Sequence, residues 1–222
     1  MKELTNPQKL AIDLLSKSPL VGKFYWTGGT LLSYKYLHHR KSLDLDFFTE
    51  KYFTFNEVNA LISKLKDSGY FQKVNYEKIY DRWEFFLEGS ENLRIDFALY
   101  NHDKKTLHSR EKVLGVFADS LQDISANKIV ALFDRNEPKD LFDIYFIITK
   151  GKIPPDRLIQ LAEKKFGVTF NLNLFWSECF KAIPLLNSIK PLIYEKNKDA
   201  LIYNIEEYFK SESKKHLDNI LN

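Results

Sequence analysis

The stretch TGGTLLSYKYLHHRKSLDLDFFT, residues 27–49, decides the fold expected for this chain. An apolar strand pattern over residues 23–27 leads into Gly28 and Gly29, and a helical pattern follows from Thr30, which is expected to cap that helix. Paired glycines let a backbone approach a ligand closely, and a helix N-terminus offers N–H groups to a phosphate. The pair therefore suggests phosphate binding, with a tight turn that binds nothing as the alternative.

The second half of this stretch, residues 43–49, predicts a strand with an acidic face. Asp44 and Asp46 lie two residues apart, so their carboxylates project to the same side with Cα atoms about 6–7 Å apart. Leu45 and Phe47 face the other way, into the core. A shared divalent cation offsets the repulsion of the two carboxylates most simply, and an all-oxygen donor set favours Mg²⁺ or Mn²⁺. The alternative is a solvated acidic strand face.

A third carboxylate, Asp96, belongs to a strand predicted over residues 93–100. Ile95, Phe97 and Leu99 form the core face of this strand, so Asp96 points away from the core. If this strand lies beside the first acidic strand, three carboxylates converge. Such a cluster suits a two-metal site, which activates an attacking hydroxyl and stabilises a leaving pyrophosphate.

The C-terminal half adds a lysine and two aspartates on helical patterns. Lys128 borders an apolar helical stripe, so its ammonium either extends outward to solvent or meets a buried anion. Asp140 and Asp143 lie near the start of an almost wholly apolar helix, where carboxylates favour the positive end of the helix dipole. The functional alternative pairs Lys128 with one of them and directs its ammonium at a triphosphate.

Polar residues directly before the acidic strand are further candidates. Arg40 and Ser42 are expected to contact phosphate or to orient a carboxylate. The adjacent His38 and His39 lack the spacing of metal ligands and are expected at the surface.

The order of the predicted elements is α+β. A mixed sheet with helices occupies the first half and helices follow, so we expect an α/β core at 1–110 and a helical domain at 111–222 that completes the active-site cleft. The predicted strands are 23–27, 43–49, 71–80, 83–87 and 93–100. The predicted helices are 7–17, 30–37, 55–67, 121–135, 138–149, 155–166, 171–181 and 199–211, and the tail at 210–222 is expected to be a charged, mobile helix end.

The composition excludes some classes of protein and is compatible with others. The 222 residues include one cysteine, Cys179, which excludes an intrachain disulfide framework. The net charge of +3 is compatible with nucleic-acid binding without arguing for it. No secretion signal or membrane-spanning run is recognised, so a cytoplasmic location is expected.

Two longer segments carry a resemblance to a known family. The spacing of GGT, thirteen residues and DLD, with a later strand aspartate, resembles the DNA polymerase beta-like nucleotidyltransferase superfamily. GGTLLSYKYLHHRKSLDLDFFT together with NKIVALFDRNEPKDLFDIYFI is similar to the AbiEii/AbiGii nucleotidyltransferase toxins, over about residues 20–150. These are the toxins of bacterial toxin–antitoxin and phage-defence systems. The resemblance implies a mixed-sheet nucleotidyltransferase core followed by a C-terminal helical bundle.

The resemblance also implies roles for individual residues. The phosphate-binding loop corresponds to Gly28, Gly29 and Thr30, and the lead-in to the acidic strand corresponds to Arg40 and Ser42. The metal ligands correspond to Asp44 and Asp46, with Asp96 in the place of the third carboxylate. The triphosphate contact corresponds to Lys128, and the later catalytic carboxylate to Asp140 or Asp143.

The leading hypothesis is therefore an Mg²⁺-dependent toxin that transfers a nucleotide from a nucleoside triphosphate (NTP) to an acceptor hydroxyl. The family suggests the tRNA 3′ end as acceptor and a cognate antitoxin as partner. Basic residues proposed for an RNA groove are Lys104, Lys105, Arg110 and Lys112. The alternatives are a nucleotidyltransferase that modifies a small molecule or a protein, and a non-catalytic nucleotide-binding protein of the same fold.

Overall fold

The computed structural model describes residues 4–100 and 106–221, with side chains up to residue 218. It divides into two compact units. The first unit consists of two segments, the chain up to His38 and Ser42–Ile124. The second unit consists of His39–Lys41 and the chain from Ser125 onward. The sequence-based boundary at 110/111 differs from this division, because residues 111–118 form a hairpin that extends the sheet of the first unit.

The first unit is built on a seven-stranded mixed sheet with the order β3-β4-β5-β2-β1-β7-β6. Strands β2 and β5 pair in parallel, as do β1 and β7, and the other neighbours are antiparallel. The strands are β1 (Tyr25–Thr27), β2 (Asp44–Thr49), β3 (Phe71–Ile79), β4 (Arg82–Gly89), β5 (Leu93–Leu99), β6 (Glu111–Val113) and β7 (Val116–Ala118). The helices are α1 (Asn6–Ser16), a 3-10 turn (Pro19–Gly22), α2 (Gly28–Leu31) with a π-helical continuation (Leu32–Leu37), and α3 (Phe55–Asp67).

The core of this unit lies on one face of the sheet. Strand β2 alternates between buried and half-buried positions, with Leu45 and Phe47 wholly buried. The Phe47 ring stacks on Phe97, with ring centroids 5.5 Å apart. Helix α3 buries Val58, Leu61, Ile62 and Leu65, spaced for one helical face. The predicted alternation is confirmed, and it leaves the opposite face of β2 to Asp44 and Asp46.

The start of α2 differs from the prediction. The helix begins at Gly28, and Thr27 is the residue at its N-cap. Thr30 lies inside the helix, where its hydroxyl donates a hydrogen bond to the Asp44 carbonyl oxygen. The hydroxyl that was expected to cap the helix is therefore used to hold the start of β2. The short strands β6 and β7 were also missed, since each is only three residues long.

The second unit is helical, as predicted. Its helices are the part of α4 (Leu121–Arg135) from Ser125 onward, α5 (Pro138–Thr149), α6 (Pro155–Phe166), α7 (Leu172–Ala182), a 3-10 segment (Ile183–Leu192) and α8 (Lys198–Leu221). Helix α8 continues past the predicted end at residue 211. Among the helices of residues 4–100 and 106–221, none is long and apolar enough to cross a membrane.

Candidate active site

The strand register places the predicted carboxylates on one face of the sheet. Because β2 and β5 pair in parallel, Asp46 lies opposite Asp96 and Asp44 lies opposite Arg94. Residues opposite one another on paired strands project to the same side. The strand adjacency on which the three-carboxylate prediction depended is therefore confirmed.

The acidic row extends beyond the predicted residues. On β4, Glu84 lies opposite Asp96, and on β3, Glu77 lies opposite Glu84. At the other end of the row, Thr27 of β1 lies opposite Asp46. Glu84 is almost wholly buried, whereas Glu77 is exposed. Sequence reasoning missed Glu84, although folding the chain into a hairpin centred on Ser90 would have placed it beside Asp96.

Arg94 holds the buried part of this row together. Its guanidinium donates to both Asp96 oxygens, from Nε at 2.9 Å and from Nη2 at 2.8 Å, and Nη2 also lies 2.9 Å from Glu84 Oε2. Partial burial opposes the charge of Arg94, but Asp96, Glu84 and Asp44 outweigh it and raise the pKa of the guanidinium. Burial and the nearby Asp96 charge raise the pKa of Glu84.

The carboxylates differ in how well they fit a metal ion. Asp44 and Asp46 present hard oxygen donors of the kind that Mg²⁺ and Mn²⁺ take. Both Asp96 oxygens already accept hydrogen bonds from Arg94, so Asp96 joins such a set only if Arg94 moves away. Within residues 4–100 and 106–221 no group of three or more His, Cys, Asp or Glu side chains is arranged to hold a metal.

Gly28 brings the start of α2 directly against Asp46. Its φ of +77° lies in the left-handed region that favours glycine. A Cβ atom at Gly28 would lie 1.9 Å from Asp46 Oδ2, so no side chain fits between the backbone and this carboxylate. The Gly-Gly motif and the acidic strand, which are separated in sequence, thus form one site. Gly29 follows as the second residue of α2.

A set of hydroxyl and amide contacts fixes the segment that leads into β2. The Thr30 and Ser42 hydroxyl oxygens lie 2.8 Å apart. The Gln8 side-chain amide donates to the Ser42 and Leu43 carbonyl oxygens at 3.0 and 3.1 Å. Thr27 contributes a buried hydroxyl that has no hydrogen-bond partner within the described residues. Since Thr27 lies opposite Asp46, this hydroxyl is a polar group beside the acidic face.

The second unit contains a buried cluster of ion pairs built from the other predicted residues. Lys128 Nζ lies 2.8 Å from Asp140 Oδ1 and 2.7 Å from Asp143 Oδ2. Arg40 donates to both Asp143 oxygens, at 2.6 and 2.8 Å. Arg135 donates to both Asp140 oxygens, at 2.8 and 3.1 Å. Lys128, Asp140 and Asp143 are buried, so the expectation that Lys128 extends to solvent is wrong and the buried-anion alternative holds.

The charges in this cluster stabilise one another. Burial alone would raise the pKa of Asp143, but Arg40 and Lys128 hold it well below its usual value. Burial alone would lower the pKa of Lys128, but Asp143 and Asp140 raise it. The carboxylate that Arg40 contacts in the structure is Asp143, and its contact with phosphate stays a prediction.

His39 also belongs to this cluster, contrary to the surface position expected for it. Its Nε2 lies 2.7 Å from Asp143 Oδ1, and its side chain is fully buried. Burial lowers the pKa of the imidazole. The adjacent His38 is exposed, as expected, and ends the π-helical turn in a left-handed conformation.

The predicted site residues thus form two groups. The first unit brings together Gly28, Gly29, Thr30, Ser42, Asp44, Asp46 and Asp96, and the second brings together Arg40, Lys128, Asp140 and Asp143. Of the residues proposed for an RNA groove, Arg110 and Lys112 lie in the first unit, whereas Lys104 and Lys105 lie outside the described residues.

Comparisons with known proteins agree with this fold. A candidate nucleotidyltransferase from H. pylori superposes with a TM-score of 0.58 at 17% identity, covering 94% of each chain. JHP933 from Helicobacter pylori superposes with a TM-score of 0.57 at 16% identity, covering 99% of this chain and all of that one. An uncharacterized protein of Aquifex aeolicus is 29% identical over 223 residues, 99% of this chain and 100% of its own length.

The family itself follows from a match over most of the chain. The family model described as "Nucleotidyl transferase AbiEii toxin, Type IV TA system" matches residues 10–202. That range includes the Gly28–Asp46 contact, the acidic row and the buried ion-pair cluster. The chain therefore belongs to the AbiEii family of nucleotidyltransferase toxins.

Proposed function

We propose that the chain transfers a nucleotide from an NTP to an acceptor hydroxyl in a reaction that depends on Mg²⁺ or Mn²⁺. The observation that carries the proposal is the contact of Gly28 with Asp46. It joins a helix start that can receive phosphate to a strand whose carboxylates suit a divalent cation. Family membership supports nucleotidyl transfer as the reaction class.

The predicted site residues of the first unit each have a role in this proposal. The backbone N–H groups of Gly28, Gly29 and Thr30 donate hydrogen bonds to the triphosphate. Metal held by Asp44 and Asp46, joined by Asp96 in a two-metal site, would neutralise phosphate charge and lower the pKa of the acceptor hydroxyl.

Ser42 positions the acidic strand and does not itself contact the reacting groups in this proposal. Together with Thr30 it fixes the backbone at Asp44, so the carboxylates are already in place when the substrate arrives. The acceptor hydroxyl gives up its proton to water, its oxygen bonds to the α-phosphorus, and the bond from that phosphorus to the oxygen bridging the β-phosphate breaks, so that pyrophosphate leaves.

The residues of the second unit keep the roles that the family resemblance implies as predictions. Lys128 is the predicted triphosphate contact, and Asp140 or Asp143 the predicted later carboxylate. In the structure these groups form ion pairs with one another and with Arg40 and Arg135. These buried ion pairs support a contribution of the residues to the stability of the second unit.

The acceptor that we propose is RNA, with the tRNA 3′ end as the first candidate. We expect the reaction in the cytoplasm, where NTPs and tRNA both occur, and we expect a cognate antitoxin that suppresses it. Phage defence is the setting suggested by the family. A small-molecule or protein hydroxyl is the alternative acceptor, and a non-catalytic nucleotide-binding role is the alternative from another class.

A labelling experiment tests the proposal. The purified protein is incubated with Mg²⁺, total tRNA and each α-³²P-labelled NTP in turn, beside the double variant Asp44→Asn/Asp46→Asn. Label on tRNA with the wild type and none with the double variant is the expected result. The control Asp67→Asn, on the exposed end of α3, should label tRNA as the wild type does.

Other outcomes separate the alternatives. Label on a small molecule or a protein, with none on tRNA, would keep the reaction and replace the acceptor. Equal labelling by the wild type and the double variant would contradict the carboxylate site. Growth arrest on expression that persists in the double variant would favour a non-catalytic toxin.

A further inference from the structure

A cavity of the first unit lies at the C-terminal end of β2, whereas Asp44 and Asp46 lie near the start of that strand. It has a volume of about 600 Å³, and the lining residues that matter here are Lys23, Tyr25, Lys51, His108, Arg110 and Phe117. Lys51 lies two residues beyond Thr49, the last residue of β2. The strand rises about 10 Å over the three residues from Asp46 to Thr49.

Arg110 is a fixed element of the cavity wall. Its guanidinium lies over the Tyr25 ring, 3.3 Å from the centroid, and donates to Asp119 at 2.9 Å and to Glu50 at 2.6 Å. The Arg110 side chain is only 17% exposed. A planar cation held in this way presents a prearranged surface to an anionic or aromatic ligand.

The chain segment that carries His108 is anchored as well. The backbone N–H groups of Leu107 and His108 donate to the two carboxylate oxygens of Asp123, at 2.9 and 3.2 Å. Asp123 is fully buried and also accepts a hydrogen bond from the Ser120 hydroxyl at 2.6 Å. This wall of the cavity is therefore held by a buried carboxylate.

Two of the three cations that line the cavity, Lys23, Lys51 and Arg110, are already paired. Arg110 is paired with Glu50 and Asp119. Lys23 is paired with Glu57 at 2.6 Å. By contrast, the Lys51 ammonium and the His108 imidazole make no hydrogen bond or ion pair with any group of residues 4–100 and 106–221. As far as the described residues go, their N–H donors are therefore available to a ligand.

An exposed aromatic ring completes the set. Phe117 is 39% exposed on β7, and the Lys112 ammonium lies 5.3 Å from its ring centroid. Proteins bind single-stranded nucleic acid with two kinds of group: basic side chains contact the phosphate backbone, and aromatic rings stack on the bases. An acidic peptide would use the cations but has no need of the ring.

We propose that this cavity binds a single-stranded segment of the acceptor RNA. Lys51 and His108 contact its phosphates, and Phe117 stacks on a base. The inference rests on RNA being the acceptor in the proposed function. It adds a binding site beyond the end of β2, which lies about 10 Å along the strand from Asp46, and this site would hold the RNA while its terminal hydroxyl reaches the acidic face.

Binding without catalysis tests this site. Fluorescence anisotropy is measured with a short fluorescein-labelled single-stranded RNA, in EDTA and without NTP, for the wild type, Lys51→Glu and His108→Ala. The matched control is Lys64→Glu, which makes the same charge change at an exposed position on α3. Circular dichroism confirms that each variant is folded.

The expected result is specific to the cavity. Lys51→Glu should weaken RNA binding about tenfold, as for the loss of one charge-assisted hydrogen bond, and His108→Ala several-fold. The plot of the logarithm of the binding constant against the logarithm of the salt concentration should become shallower by about 0.7 for each phosphate that a variant no longer neutralises. Lys64→Glu should bind within about twofold of the wild type.

Several results would overturn the inference. Equal weakening by Lys51→Glu and Lys64→Glu would show attraction by net charge alone. Absence of RNA binding by the wild type, or tighter binding of a polyglutamate peptide than of RNA, would also reject it. If the wild type then labels a non-RNA acceptor, the transferase proposal stands without this cavity. If RNA binds through Lys51 but no acceptor is labelled, the cavity stands and the transferase proposal fails.

Discussion

Substitution of Gly28 by alanine should lower the rate of nucleotide transfer far more than it lowers the stability of the fold, because it displaces Asp46. The added Cβ would lie 1.9 Å from Asp46 Oδ2, and an ordinary contact begins at 3.4 Å, so the carboxylate must retreat by about 1.5 Å. A misplacement of about 1 Å in a reacting group costs about 100-fold in rate. We therefore expect Gly28→Ala to lower the rate of nucleotide transfer at least about 100-fold.

The same substitution also strains the backbone. A residue other than glycine at a φ of +77° costs about 1–2 kcal/mol, so the free energy of unfolding should fall by that amount. Gly69 provides the matched control, since its φ is +82° but an added Cβ there meets nothing within 4 Å. Gly69→Ala should lose similar stability and keep its transfer activity.

Urea unfolding and the labelling assay measure the two effects. We expect the two variants to be alike in unfolding free energy and to differ at least about 100-fold in transfer rate. Gly22→Ala, which meets no atom within 4 Å and has no positive φ, should match the wild type in both. If Gly28→Ala and Gly69→Ala lose activity equally, the contact with Asp46 has no role in the reaction.

Further predictions concern the charged clusters. Lys128→Met should lower the free energy of unfolding by about 1.5–3 kcal/mol, because Asp140 and Asp143 lose a charged hydrogen bond while Arg135 and Arg40 still pair with them. The pKa of Asp143 is held well below 3.8, so its stabilisation is complete above pH 3.8 and is lost as the pH falls through the lowered pKa. In Lys128→Met this loss should begin at a higher pH than in the wild type, as urea unfolding from neutral to acidic pH would show. Arg94→Gln should strengthen Mn²⁺ binding in calorimetry, because the competing donor on both Asp96 oxygens is gone.

Each of these predictions has a control in the chain. Lys210→Met removes an exposed ion pair with Glu207 and should cost less than about 1 kcal/mol. Arg82→Gln should change Mn²⁺ affinity less than Arg94→Gln, since the Arg82 guanidinium lies 3.8 Å from Asp96. Equal unfolding free energies for the two lysine variants, or unchanged Mn²⁺ affinity in Arg94→Gln, would contradict the corresponding prediction. A pH dependence of Lys128→Met that matches the wild type would contradict the linkage to Asp143.

Local sequence patterns predicted the elements that carry the site. The alternation in residues 43–49 set the faces of β2 because the period of a strand is independent of its neighbours. Helix α3 was placed at 55–67, where Thr54 and Glu57 form reciprocal hydrogen bonds at its start. The adjacency of β2 and β5 was an inference from the shared acidic faces, and the structure confirms it.

Features that depend on distant partners could not be predicted in this way. His39 is buried because Asp143, 104 residues later, accepts its hydrogen bond, and no local pattern reports such a partner. Glu84 becomes part of the acidic row only through the register of β4 on β5. The closeness of Gly28 to Asp46 required the actual path of α2, since the glycine spacing alone equally describes an empty turn.

The charges on the acidic face lead to a prediction of metal stoichiometry. The buried and half-buried carboxylates there are Asp44, Asp46, Asp96 and Glu84, and the guanidinium groups facing them belong to Arg94 and Arg82. Among the described side chains named here, four negative and two positive charges leave an excess of two negative charges, which one divalent cation neutralises. A second cation would make the face positive until a triphosphate brings its own negative charge. Calorimetry with Mn²⁺ should therefore give one strong site per chain without nucleotide and a second only with a non-hydrolysable NTP analogue. Two strong sites without nucleotide would mean that Arg94 leaves Asp96 before the substrate binds.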